Sequence, residues 1–132
     1  MSKHYSIEEV FKFCGEWLNP EYSNSRENRK NKRHREEFDG FLVKPYSERY
    51  QTFYNKGIKC SKCGIEGKYF MLEPHAGDEE TNIRHFNLYT ADGILMTKDH
   101  IIPRSKGGKN HISNYQTMCC SCNEKKGNEN AI

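Results

Sequence analysis

Apolar residues recur at helical spacing in the first clear segment of the chain, "SIEEVFKFCGEWL". Ile7, Val10, Phe11, Cys14, Trp17 and Leu18 fall on one face, and Asn19-Pro20 ends the pattern. Ser6 and Glu9 fit a capping box, so the pattern predicts an amphipathic helix over 6–18. Cys14 sits on the apolar face and reads as a small core residue. The next stretch, "YSNSRENRKNKRHREEF", has no apolar period. Its basic run of Arg26, Arg29, Lys30, Lys32, Arg33 and Arg35, tempered by Glu27, Glu36 and Glu37, reads as a phosphate-contacting arm or as a solvated linker helix. Apolar positions return with Phe41, Leu42 and Val43. The spacing of Tyr46, Tyr50, Phe53 and Tyr54 then predicts a short helix packed on the core, with base stacking as the alternative use of its rings.

From residue 60 the pattern changes from helical to strand-like. "CSKCG" precedes the apolar run "KYFMLEPH", which predicts a strand, and "AGDEETN" reads as an exposed acidic loop. "HFNLY-TADG-ILMT" predicts a hairpin turning at Asp92-Gly93, and its second strand leads into Asp99–His100. Pro103, Gly107 and Gly108 mark a loop carrying Arg104, Lys106 and Lys109. A short strand, "YQTMC", follows, and "CSCNEKKGN" predicts a helix with Gly127 near its end.

Composition narrows the class. With 30% charged residues among 132 and a mean hydropathy of −1.02, the chain can bury only a small core. It reads as an α+β domain over 58–132 with a helical and basic extension over 1–57. No apolar run suffices to span a membrane, and the start lacks the apolar core of a signal peptide, so a cytoplasmic protein is expected. Thiols stay reduced there, and clustered cysteines favour metal over disulfides. Cys60 and Cys63 form one C-x-x-C and Cys119 and Cys122 a second, the spacing with which two tight turns complete a closed four-thiolate zinc site. A closed site leaves no position for water, so this zinc is structural. Cys120 is an alternative to Cys119, with the poorer spacing to Cys122.

A charge and an imidazole at Asp99–His100 are costly between apolar runs without partners. Asp99 near a strand end and Asn123 on the following helix both offer hard oxygen ligands, suited to Mg²⁺ or Mn²⁺. Side chains alternate along a strand, which leaves His100 free to activate water. That division of labour suits phosphodiester hydrolysis: a base takes the proton of water and a cation stabilises the developing charge.

"DHIIPRSKGGKNHISNYQTMCCSCNEKKGN" resembles the HNH endonuclease motif in its zinc-stapled ββα-metal form, over roughly residues 58 to 129. The resemblance implies His100 as general base, Asp99 as first metal ligand and Asn114 as the residue that braces the loop and helps orient the histidine. Asn123 stands where the family name has its final His, an H-N-N variant that can still coordinate through its amide oxygen. Arg104 is a candidate phosphate clamp, Lys106 and Lys109 candidate backbone contacts, and Lys126 either a phosphate contact or a helix cap. His111 is expected to be merely exposed, and His85 to face the site as an assistant at most. The implied activity is metal-dependent cleavage of DNA to 3′-hydroxyl and 5′-phosphate ends, by a monomer or homodimer with no membrane partner. The short, Lys- and Asn-rich chain is similar to small nucleases of phages and mobile elements. The alternative from another class is a catalytically weak zinc module that binds nucleic acid or protein.

Overall fold

The computed structural model describes residues 3–22 and 33–130, with side chains described through Gly127. Helix α1 (Ile7–Cys14) begins at Ser6, and both halves of the capping box form: Glu9 N–H donates to Ser6 Oγ at 3.1 Å, and Ser6 N–H to Glu9 Oε2 at 2.9 Å. The helix stops earlier than its periodicity predicts, because Gly15 takes a positive φ and the chain tightens into a 3₁₀ turn over Gly15–Leu18. Val10, Cys14 and Leu18 are buried, so Cys14 is a core residue as expected.

Of the basic run, Arg26, Arg29, Lys30 and Lys32 lie outside the described residues. Arg33 and Arg35 are exposed. The chain then forms a hairpin that the polar pattern conceals, β1 (Glu36–Phe38) and β2 (Phe41–Val43). Asp39 and Gly40 both have positive φ, the backbone that a tight two-residue hairpin requires. Helix α2 (Glu48–Lys56) starts from Ser47, so Tyr46 precedes it rather than joining its face. Tyr50 and Phe53 are buried, whereas Tyr54 is more than half exposed.

Strands β3 (Gly67–Glu73) and β4 (Ile83–Thr90) pair antiparallel, and β2 adds to β4 in parallel, giving the order β1-β2-β4-β3. Phe86 on β4 is the hub of the core. The rings of Tyr5, Phe13, Phe38, Tyr50 and Phe70 surround it with centroids 5.0 to 6.3 Å away. Such a side chain contributes about 2–3 kcal/mol on burial. The N-terminal segment and the residues after 58 therefore share one hydrophobic core.

The turn at Asp92-Gly93 forms, but the two strands it joins make only a bridge, Tyr89 to Leu95. Instead β5 (Met96–His100) pairs with β6 (Tyr115–Cys119) in a separate two-stranded sheet, followed directly by α3 (Cys120–Asn130). Polarity explains the departure from the predicted hairpin. β4 buries Phe86, Leu88 and Thr90, while β5 carries Lys98, Asp99 and His100, which need polar partners that the aromatic core lacks.

Candidate active site and metal centre

The turn after Cys60 and the first turn of α3 are brought together by strand β6. Ser61 N–H donates to Thr117 O at 2.9 Å, and Cys63 N–H and Cys122 N–H approach the Sγ atoms of Cys60 and Cys119 at 3.5 and 3.4 Å. All four Sγ atoms, of Cys60, Cys63, Cys119 and Cys122, lie within 4.8 Å of one another. Thiolates about 2.3 Å from a tetrahedral zinc stand about 3.8 Å apart, and Cys63 Sγ to Cys119 Sγ is 3.8 Å. Charge points the same way. Burial pushes the Cys60 thiol up, but the N–H groups of Cys63, Cys119 and Lys62 outweigh it and hold it at about 6. Cys122 is pushed up to about 12, first by Cys119, because neighbouring sulfurs cannot all ionise without a cation between them. The donor set is compatible with zinc. Cys120 is not part of it, and its N–H joins Leu95 O at 2.8 Å.

The Gly-rich loop between β5 and β6 is held by Asn114, which is buried. Its amide accepts from Ile102 N–H at 2.9 Å and donates to Ile102 O and Lys109 O, both at 3.0 Å. The two glycines have separate reasons. Gly107 ends a 3₁₀ turn, Arg104–Lys106, in the left-handed region at φ 88°. Gly108 lies so close to the chain before the turn that a Cβ there would stand 1.7 Å from Ile102 O. Gly108→Ala should therefore cost more than about 1 kcal/mol and lower Tm by about 4 °C or more. An unchanged melting curve would contradict this packing.

His100 ends β5. Its Nε2 is 2.8 Å from Asn110 Oδ1, and its ring meets the ring of Tyr115 edge-on at 5.1 Å. Tyr115 is buried, and its hydroxyl is tied to Glu48; burial first, then that carboxylate, push its pKa up. Lys98 bridges the same group, 3.1 Å from Glu48 and 4.1 Å above the Tyr115 ring. Asp99 points the other way, toward α3. Gln116 Nε2 donates to its Oδ2 at 2.9 Å and Lys126 Nζ at 2.6 Å; Lys126 also donates to His100 O. Asn123 donates from Nδ2 to Thr97 Oγ1 at 3.0 Å.

Asp99, His100, Arg104, Asn123 and Lys126 line one open recess of about 250 Å³. Lys106 and Lys109 are exposed on the loop and outside that lining. His111 is exposed and bonded locally to Ser113. His85 is not brought to His100: it stacks on His75 at 3.7 Å and lines a different recess. Sequence patterns alone do not single out Asn110 or Gln116. The cross-strand register, Asp99 opposite Gln116 and His100 opposite Tyr115, is the signal that points to Gln116. Asn110 has no such signal, because a loop side chain reaches the histidine.

The donor chemistry also fits a hard divalent cation. One carboxylate oxygen of Asp99 and the amide oxygen of Asn123 have no protein partner among the described residues, and both side chains line the recess. Residues 91–130 match the family model described as HNH endonuclease. The match bears out the resemblance read from the sequence, over a segment that begins after the first cysteine pair. No curated protein and no solved structure matches the chain.

Proposed function

With an HNH endonuclease match over residues 91–130 as the premise, we propose that the protein hydrolyses DNA phosphodiester bonds in a metal-dependent reaction. The observation that carries the reading is His100, held by Asn110 at a strand end and opening into a recess shared with Asp99, Arg104 and Asn123. His100 is the general base. With the Asn110 amide oxygen accepting from Nε2, its Nδ1 is the nitrogen that takes the proton of water. The water oxygen then bonds to phosphorus as the bond to the 3′-oxygen breaks, leaving 3′-hydroxyl and 5′-phosphate ends. Arg104 faces the non-bridging oxygens, and Asn114 keeps the loop from collapsing into the recess. Asp99 and Asn123 would hold Mg²⁺ or Mn²⁺, whose chemistry, when bound, is to neutralise charge on the scissile phosphate and leaving oxygen. Lys126 would then pass from Asp99 to the DNA backbone. Lys106 and Lys109 meet flanking phosphates. One site cuts one strand, so a double-strand break needs a homodimer or two binding events. In this reading residues 58–132 carry the chemistry, residues 1–57 extend the DNA-binding face, and the setting is cytoplasmic.

The test is conversion of supercoiled plasmid to open circles with Mg²⁺ or Mn²⁺, comparing wild type with His100→Ala. Asn110→Ala adds a finer one. Turnover should fall about tenfold to a hundredfold through loss of ring positioning, with KM for DNA unchanged. A raised KM with turnover unchanged would reduce Asn110 to a loop residue. The second reading, a zinc module that binds without cutting, draws on Asn123 in place of histidine and on Lys126 seated at Asp99. No conversion under either metal, with DNA binding retained, would favour it.

A further inference from the structure

A second recess, of about 300 Å³, opens where α2, β2 and β4 meet, and the reading above leaves it without a role. Four cations line it, Arg35, Lys44, Arg49 and Arg84, against one carboxylate, Asp78. None of the four pairs with a carboxylate among the described residues. Arg84 Nη1 donates to the carbonyls of Thr81 and Ile83 at 2.8 Å and of Asp78 at 3.2 Å, and its guanidinium lies 4.8 Å above the Phe41 ring. Arg49 donates to Asn87 Oδ1 at 3.1 Å and Phe86 O at 3.0 Å. Neutral acceptors fix both guanidinium groups in place without cancelling their charge, and each keeps donors to spare.

His85 adds an independent observation. Its ring lines the recess, yet its Nδ1 is buried without a hydrogen-bond partner among the described residues. A buried polar atom left alone costs about 1–3 kcal/mol unless something outside the chain satisfies it. Burial first, then His75 and Arg49, pull its pKa down to about 4, so at neutral pH it is an uncharged imidazole able to donate from Nδ1.

We infer that this recess binds a backbone phosphate of the DNA substrate, away from the scissile position. Arg49 and Arg84 form the fixed floor, and Arg35 and Lys44 reach in from solvent. Two features favour DNA over a small anion. The basic run of the sequence ends at Arg35, and Arg35 lines the recess, so the recess is next in sequence to further positive charge. The recess also adjoins the catalytic strand: Glu48, between the lining residues Ser47 and Arg49, pairs with Lys98, two residues before His100. The inference rests on the nucleic-acid reading of the site, and it gives the N-terminal half a share of the substrate.

The experiment is fluorescence anisotropy of a labelled duplex, titrated with zinc-loaded full-length protein across a range of salt. It is run in the His100→Ala background so that nothing is cut. Arg35→Ala with Lys44→Ala should weaken binding roughly tenfold and reduce the log–log salt slope by about 1 for each phosphate charge no longer neutralised. Asp78→Asn should tighten binding, and Lys68→Ala, on β3 and already paired with Glu66 at 3.3 Å, should change nothing. An unchanged affinity and slope in the double variant would overturn the inference, as would equal losses in Lys68→Ala. The plasmid assay decides the nuclease reading separately. Weaker binding by the recess variants supports the recess even where wild type fails to nick, and a nicking enzyme indifferent to both substitutions sinks it.

Discussion

Supercoiled plasmid treated with His100→Ala protein should stay supercoiled under conditions in which wild type relaxes it, the rate falling by about 10²–10⁴-fold. The size follows from what is removed. A positioned base contributes within that range, while the charge-stabilising groups around Asp99 and Arg104 stay in place and leave a residual rate. The substitution is also clean. The His100 ring is only half-buried, its side-chain hydrogen bond goes to Asn110, and the Tyr115 ring it meets edge-on is held independently by Glu48 and Lys98. Zinc content and melting temperature should therefore match wild type. Equal conversion by both proteins removes His100 from the chemistry; a lower rate together with a missing zinc would place it in the fold instead.

Cys63→Ser should release the zinc and lower Tm by more than about 15 °C, at roughly 4 °C per kcal/mol for a chain of this size. Cys63 is exposed, and an exposed substitution ordinarily changes stability by no more than about 0.5 kcal/mol. A large loss there has no packing explanation, so it reports on the metal alone. Structural zinc contributes on the order of 10–16 kcal/mol in zinc-finger peptides, as much as the whole stability of a typical domain. Cys120→Ser is the control: its sulfur is outside the cluster, and the zinc should remain. Metal analysis and thermal denaturation of both variants decide the matter. A folded, zinc-free Cys63→Ser protein would contradict a structural role.

What can be read from the sequence divides by range. The capping box at Ser6 and Glu9, the cysteine pairs and the Asp99–His100 dipeptide are local patterns, each dictated by a turn or a short spacing, and the structure places the four cysteines together as expected. Partnerships across the chain are harder. The strand after Asp92-Gly93 has the pattern of one that folds back on β4, but it leaves to meet a strand formed after the Gly-rich loop. Hydrophobic alternation gives the faces of a strand and says nothing of its neighbour. The Asp39-Gly40 turn is hidden because charged neighbours mask two short strands. Gln51 is fully buried and donates to the carbonyls of Trp17 and Asn19 at 3.1 and 3.0 Å. Nothing in its own vicinity signals that it ties off the end of a helix more than thirty residues away.

In the proposed function, the ion pair of Lys126 with Asp99 sets the divalent cation apart from the zinc in kind. A carboxylate set aside for a cation, and nearly buried, is ordinarily a source of repulsion or a costly lone charge when that cation is missing. Here the chain supplies its own counter-charge from one turn beyond Asn123, at 2.6 Å. The Asp99 carboxylate is balanced within the chain, so folding should not depend on the divalent ion of the proposed reaction. Zinc, held by the four cysteines, would be a component of the architecture. The divalent cation of the proposed reaction would be a visitor, admitted when a lysine gives up its seat.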